Sequence, residues 1–78
     1  MKEYSIVDLQ KIVSDNIARI MAKGNYSTYD IQKITGYNMS AQQLNNILRG
    51  TSFVSAKSIV LLCNAFGVQP AQLFEERA

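Results

Sequence analysis

The fold is decided by the stretch STYDIQKITGYNMSAQQLNNILRG, residues 27–50. Its first half begins a helix at Ser27, where the serine hydroxyl and the Asp30 carboxylate can each accept a hydrogen bond from a free backbone N–H group. The helix ends at Gly36, because a residue without a Cβ can adopt the left-handed conformation that closes a helix. A turn over residues 36–39 then leads into the second half of the stretch.

The second half predicts another helix, with one apolar and one polar face. Ser40 and Gln43 form a second capping box, and Gly50 supplies the end. At 100° per residue the apolar side chains fall in a single stripe, Leu44, Ile47 and Leu48. The opposite face is polar and carries little charge: Gln42, Asn45, Asn46 and Arg49, with Ala41 and Gln43 at its flanks.

A long first helix is predicted ahead of this pair. Ser5 and Asp8 can cap its start, and the Gly-Asn pair at residues 24–25 supplies the stop. The apolar residues in between recur at spacings of three and four, as one face of a helix requires: Ile6, Leu9, Val13, Ile17 and Ile20. In the short second helix, Ile31 and Ile34 are expected to face the core.

Two further helices are predicted after the central pair. Ser55 can cap a fourth helix that ends at Gly67. Its inward-facing residues are expected to be Ala56, Ile59, Val60, Leu62, Cys63 and Phe66. Gln69 and Pro70 begin a short fifth helix, because proline is tolerated at a first helical position, where its missing N–H costs nothing. The sequence therefore predicts an all-α, compact five-helix domain that spans residues 1–78, without strands.

Composition excludes several classes of protein. No stretch approaches the roughly 20 apolar residues that a bilayer crossing needs, and no export signal is evident, so we expect a cytoplasmic protein with no membrane partner. Cys63 is the only cysteine, which excludes an internal disulfide. The chain has no histidine, and one cysteine with scattered carboxylates cannot assemble a zinc site or a common hydrolase centre. We therefore expect no metal, no cofactor and no enzymatic activity.

Positive charge is concentrated in the middle of the chain. The net charge is +2, which is small for a protein that binds nucleic acid. Residues 16–57 carry five cations against one acid, a net +4, whereas the segments before and after them each come to −1. This distribution fits a nucleic-acid partner, and it also fits an ordinary solvated surface.

The polar face of the third helix carries the functional signal. Solvated helix faces are normally filled with Lys and Glu, which favour helices more than Asn does. Gln and Asn amides can donate to and accept from the adenine edge together, and Arg can bind guanine or a phosphate. A capped short helix, a turn with glycine and a second short helix with such a face form the helix-turn-helix layout. Residues 40–49 are therefore predicted to read the major groove; the alternative is an ordinary polar surface.

An ordered set of residues extends this pattern along most of the chain. It comprises Ile17 and Ile20, Ser27 with Ile31, Thr35-Gly36, Leu44, Ile47 and Gly50, Ile59-Val60 and Leu62, Phe66-Gly67-Val68, and Leu73-Phe74. On these residues the chain resembles the Cro and phage-repressor (XRE-type) helix-turn-helix DNA-binding domains, which have the lambda-repressor-like fold. The resemblance implies a transcriptional regulator, a repressor of bacterial or phage origin that binds a double-stranded DNA operator as a homodimer.

The resemblance, with the exposure expected for each side chain, also implies which residues contact DNA. Base contacts are expected at Ala41, Gln42, Gln43, Asn45 and Asn46. Phosphate contacts are expected at Ser27, Thr28, Tyr29, Ser40, Arg49, Thr51 and Ser52. The backbone N–H groups of Ser27 and Thr28, at a helix N-terminus, suit a phosphate oxygen. Tyr29 lies beside Thr28, so its hydroxyl can reach the same strand; its alternative role is to cover the small core.

Two departures from the family pattern bear on DNA binding. The segment from Gly36 to Gly50 is longer than the family's usual spacing, with Tyr37 and Asn38 added to the turn. The loop TSFVS, residues 51–55, has no Lys or Arg, whereas such domains often place cations there. Non-specific affinity for DNA is therefore expected to be modest and to depend weakly on salt.

Five apolar residues are candidates for a protein interface. Phe53, Val54 and Leu61 are expected to be exposed and, with Leu73 and Phe74 as further candidates, could hold a second copy of the chain. The same exposed residues support an alternative function, a protein-binding module that holds a second repressor-like protein as an antirepressor or modulator. Binding to DNA at low salt distinguishes the two functions.

Overall fold

The computed structural model describes residues 3–76 and contains five helices in the predicted order. They are α1 Ile6–Gly24, α2 Thr28–Ile34, α3 Ala41–Leu48, α4 Ala56–Phe66 and α5 Pro70–Leu73. This part of the chain has no strand, which confirms the predicted all-α class. α3 packs against both α1 and α2, α5 packs against α1, and α4 packs against α2 and α5. None of the described helices is long and apolar enough to cross a membrane.

Serine caps begin four of the five helices. Ser5 and Ser27 each form a complete capping box with the aspartate three residues later. Ser40 caps α3 by accepting a hydrogen bond from the backbone N–H of Gln43. The predicted second half of that box is wrong, because the Gln43 amide bonds to Ser58 on α4 instead of returning to the cap. The cap of α3 therefore has one of the two hydrogen bonds of a capping box, the bond from the Gln43 N–H to the Ser40 hydroxyl.

The core forms where the apolar faces of the five helices meet. Its buried residues are Val13, Ile17, Met21, Ile31, Met39, Leu44, Ile47, Val54, Leu62, Cys63 and Leu73. Burial raises the pKa of the Cys63 thiol, so this side chain behaves as a small apolar group. Four residues predicted to face the core are exposed instead: Ile6, Ile34, Ala56 and Val60.

The exposed apolar residues have separate physical reasons. Ile6 has the correct angle on α1, but residues 3–8 are all exposed because no other helix packs against the first turn. On α2, Thr35 is buried and takes the position facing the core, which turns Ile34 outward. Val60 lies two residues before the buried Leu62. Two residues at that spacing point to nearly opposite sides of a helix, so Val60 faces solvent.

The turn between α2 and α3 contains two consecutive left-handed residues. Gly36 has φ +66° and Tyr37 has φ +60°, and their backbone N–H groups return to carbonyls of the last turn of α2. A left-handed conformation is unusual for a residue with a Cβ. The side chain of Asn38 then donates to the carbonyl of Thr35 over 2.8 Å. The added residues thus form an ordered turn that delivers the buried Met39 to the core.

Two polar side chains of α1 fix its neighbours in place. Ser14 donates its hydroxyl hydrogen to the carbonyl of Leu48, at the end of α3. Asn16 is buried, and its amide nitrogen donates to the carbonyls of Leu73 and Glu75 over 2.8 Å each. The first bond ties α3 to α1, and the other two tie the end of the described chain to α1.

Candidate nucleic-acid interface

The polar face of α3 points away from the core. The buried residues of the helix lie on the side that packs against α1 and α2. Gln42, Asn45 and Arg49 are exposed, and Asn46 is half-buried. Gln42, Asn46 and Arg49 are spaced by four and three residues, so they form one row along the helix. We call these three residues the polar row.

The members of the polar row differ in the hydrogen bonds that they already make. The guanidinium of Arg49 donates from Nη2 to Oδ1 of Asn46 over 2.6 Å. The side-chain amides of Gln42 and its neighbour Asn45 make no hydrogen bond to any residue within 3–76. Gln42 and Asn45 can therefore offer a donor and an acceptor together, whereas one lone pair of the Asn46 amide oxygen is already taken.

The two flanks of this face have different roles. Ala41 is exposed at the start of α3 and offers a methyl group, which suits contact with a thymine methyl. Gln43 donates from Nε2 to the hydroxyl of Ser58 over 3.2 Å. Ser58 is buried and also accepts from the hydroxyl of Ser55, the cap of α4. Gln43 therefore holds α3 against the start of α4. Its amide oxygen remains able to accept a hydrogen bond from a base.

Hydroxyl groups around α3 divide into those that keep a hydrogen to donate and those that do not. The hydroxyls of Ser27 and Ser40 each accept a backbone N–H over 3.1 Å. Because a hydroxyl has one hydrogen and two lone pairs, this bond leaves the Ser40 hydrogen for a phosphate oxygen, whereas the Ser27 hydroxyl also bonds to the Asp30 carboxylate. Thr51 is the opposite case, since its Oγ1 donates to the carbonyl of Asn46 over 3.1 Å. Ser52, the next residue along that loop, is half-buried and also carries a hydroxyl.

The N-terminus of α2 carries a carboxylate beside its free N–H groups. The backbone N–H of Ser27 donates to Oδ2 of Asp30 over 2.8 Å. This bond, together with the Ser27 hydroxyl, holds the pKa of Asp30 below its usual value. The Ser27 N–H is thus not free for a phosphate as expected. The next N–H groups, of the half-buried Thr28 and of Tyr29, lie in the first turn, where the Ser27 cap bonds to the N–H of Asp30. The ionised Asp30 disfavours a second anion at the same helix end.

Two exposed tyrosines, Tyr29 in the first turn of α2 and Tyr37 in the turn after it, interact with each other. Hydrogen bonding between their hydroxyls holds the proton of Tyr37 and, with some desolvation, raises the pKa of Tyr37. Tyr29 was a candidate from the sequence, but Tyr37 was not. No sequence pattern in the turn indicates the left-handed backbone at Tyr37.

Comparison with known families accounts for this arrangement of helices. A family model described as the Cro/C1-type HTH DNA-binding domain matches residues 16–76. The chain belongs to this family. The match confirms the predicted resemblance and includes α2, α3 and the turn between them. Searches of curated proteins and of solved structures found no match.

Most of the five apolar residues that were candidates for a protein interface are buried or partly buried in the core of this Cro/C1-type domain. Val54 is 3% exposed and Leu73 is 0% exposed. Val54 precedes the cap of α4, a position from which an apolar residue packs back onto its own helix. Leu61 and Phe74 are partly buried against the core. Of the five candidate residues, Phe53 alone remains well exposed, at 46%.

Proposed function

We propose that the protein is a bacterial or phage transcriptional repressor that reads a DNA operator with α3. The observation that carries this proposal is the polar row, an outward line of amide and guanidinium groups on a helix whose other face is held by the core. Membership of a DNA-binding family supports DNA as the ligand. Bound α3 would cover the major groove of a promoter and exclude other proteins sterically.

Base reading would fall to the side chains of α3 that face solvent. Gln42 and Asn45 have unengaged amides and can read a donor and an acceptor together. Asn46 lies in the same row as Gln42, and Ala41 can contact a thymine methyl. Gln43 contributes less than these residues, because its amide nitrogen already holds Ser58.

Phosphate contacts would fall to groups that still have a hydrogen to donate. Ser40 offers its hydroxyl at the start of α3, and the Thr28 N–H and the Tyr29 hydroxyl lie at the start of α2. Ser27 would contribute when its hydroxyl turns from Asp30 to the phosphate. Arg49 can use the guanidinium hydrogens that Asn46 does not take. In the following loop the donor would be Ser52 rather than Thr51, whose hydrogen is used.

Weak salt dependence of DNA binding is part of the proposal. The loop at residues 51–55 has no cation, and Arg49 is the only cation from residue 34 to residue 56. Each phosphate neutralised by a cation releases counterions and steepens the fall of affinity with salt. Few such contacts are possible around α3, so affinity should depend more on the polar row than on charge.

We further propose that the protein binds as a homodimer. A two-fold dimer places two reading helices in successive major grooves, about 34 Å apart. Exposed Phe53 next to the reading helix is an apolar group that such a dimer could cover. Sedimentation of the chain with a duplex that carries two half-sites measures how many copies bind each duplex and so tests for the homodimer. A single copy bound per duplex would contradict the dimer and leave DNA binding intact.

Fluorescence anisotropy with a duplex from the promoter of the protein's own gene tests the site. The double variant Gln42→Ala, Asn46→Ala should bind at least tenfold more weakly, because a good base contact contributes about 1 to 3 kcal/mol. Asn64→Ala removes an exposed amide from α4 and is the matched control, expected to bind as the wild type does. Unchanged affinity in the double variant would overturn the assignment of α3 as the reading helix.

A protein-binding module is the second candidate function. The uncharged loop after α3 and the exposed Phe53 within it favour a protein partner over DNA. This function predicts no binding to duplex DNA at low salt and co-purification with a second repressor-like protein. The burial of Val54 and the partial burial of Leu61 remove much of the support for it.

A further inference from the structure

The contact between Arg49 and Asn46 determines which base edges Asn46 can recognise. This inference rests on the proposed reading of DNA by α3. An asparagine amide has two donor hydrogens on Nδ2 and an acceptor at Oδ1. Adenine presents an acceptor and a donor in the major groove, so an amide reads it with both ends. Guanine presents two acceptors and thymine presents one, and these need the donor end alone.

Arg49 takes one of the two lone pairs at the acceptor end of Asn46 and orients its amide. The bond from Nη2 to Oδ1 is 2.6 Å long, and its donor is charged, which makes it roughly twice as strong as a bond between neutral groups. The backbone of Asn46 is also held, since its carbonyl accepts from the N–H and the hydroxyl of Thr51 over 3.0 and 3.1 Å. Reading adenine with both ends would require the second lone pair of Oδ1 to reach the base in the orientation that the bond to Arg49 holds.

A second asparagine–arginine pair of this kind occurs in the described chain. There the amide nitrogen of the asparagine also makes hydrogen bonds. On α1 the guanidinium of Arg19 bonds to Oδ1 of Asn16, again across three residues. Nδ2 of Asn16 then donates to two carbonyl oxygens over 2.8 Å each. An arginine that holds the amide oxygen thus leaves the amide nitrogen to meet a pair of acceptors, which is what the O6 and N7 atoms of guanine present.

We propose that Arg49 is a positioning residue that makes Asn46 a reader of acceptors. The bases favoured at Asn46 are then guanine and thymine, and adenine and cytosine are disfavoured because their amino groups would have to share an oxygen that already accepts from a charged group. Gln42, whose amide is unengaged, keeps the ability to read adenine. The polar row therefore combines one reader of mixed edges with one reader of acceptor edges.

Selection of bound duplexes from a randomised library tests this assignment. Asn46→Ala identifies the operator position that Asn46 reads, as the position where base preference disappears. At that position the wild type should select guanine or thymine. In Arg49→Met the amide oxygen is released, so the preference for these bases over adenine should fall about tenfold, which corresponds to about 1.4 kcal/mol. Lys23→Met removes one exposed cation from the last turn of α1 and should leave the preference unchanged.

A measurement on the free protein separates this contact from a general loss of charge. The carbon and nitrogen NMR shifts of the Asn46 side-chain amide should move in Arg49→Met and stay in place in Lys23→Met. Adenine or cytosine under Asn46 in the wild type, or an unchanged preference in Arg49→Met, would overturn the inference while leaving DNA reading by α3 in place. A wild type that selects no sequence at all would overturn the proposed function and this inference with it.

Discussion

Ser14 on α1 donates its hydroxyl hydrogen to the carbonyl of Leu48 in the last turn of α3. The last four carbonyls of a helix have no partner within it, so Leu48 needs one from elsewhere. Ser14 is 7% exposed, and the bond is shielded from water. A single hydroxyl thus satisfies the end of the candidate reading helix and fixes its position on α1.

Replacing Ser14 should destabilise the fold. Ser14→Ala leaves the carbonyl of Leu48 without its partner, and we expect the free energy of unfolding to fall by about 1 to 3 kcal/mol. Urea denaturation followed by circular dichroism measures this change. The neighbouring Asp15→Asn breaks only an exposed ion pair with Lys11 and should cost less than about 1 kcal/mol. Equal stabilities of the two variants would show that the bond to Leu48 contributes little.

Removing the donor of Asn16 should have a larger effect. Asn16→Asp keeps the shape of the side chain, but an ionised carboxylate cannot donate to the carbonyls of Leu73 and Glu75. Two carbonyls lose their partner and face the new carboxylate, whose charge the bond from Arg19 offsets only in part, so we expect the free energy of unfolding to fall by more than about 2 kcal/mol. Thermal unfolding at neutral pH measures it. A melting temperature equal to that of the wild type would contradict the role of Asn16 in holding the end of α5.

The helices were predictable from sequence because their signals are local. Ser5, Ser27 and Ser55 are caps whose partners lie three residues away, and the apolar spacing of α1 and α3 follows from helix geometry alone. Which apolar residue is buried depends on where the neighbouring helices lie. Val54 and Val60 therefore exchanged their expected places, one entering the core and the other facing solvent.

The candidate site was predictable as a face but not as a set of hydrogen bonds. Helical angle alone puts Gln42, Asn46 and Arg49 on one side of α3. The bond that joins Gln43 to Ser58 crosses fifteen residues between two helices, and no spacing rule within one helix indicates it. The bond from Arg49 to Asn46 is local, yet a spacing of three residues between an asparagine and an arginine does not by itself predict it. Sequence therefore predicts where these side chains point and not which of their atoms are free.

Acid should weaken the cap of α2 through Asp30. Its pKa is lowered in the folded protein by the bonds to the Ser27 backbone and hydroxyl. The stabilisation is therefore complete above the unfolded pKa, about 3.9, and is lost as the pH falls through the lower folded value. Asp30→Asn keeps an oxygen to accept the Ser27 N–H but does not titrate. We expect its melting temperature to fall less than that of the wild type between neutral pH and about pH 3; equal falls would count against this role of Asp30.

The two adjacent glutamines of α3 should respond in opposite ways to the same substitution. Gln43→Ala removes the bond to Ser58, but the Ser58 hydroxyl still accepts from Ser55, so the free energy of unfolding should fall by only about 0.5 kcal/mol. The base preferences selected from a random duplex library should change little. Gln42→Ala touches no hydrogen bond of the described fold and should leave stability unchanged while removing the preference at one operator position. The reverse result would be a base preference lost in Gln43→Ala and kept in Gln42→Ala. It would mean that Gln43 leaves Ser58 when DNA binds. The reading face of α3 would then be centred one residue further along the helix.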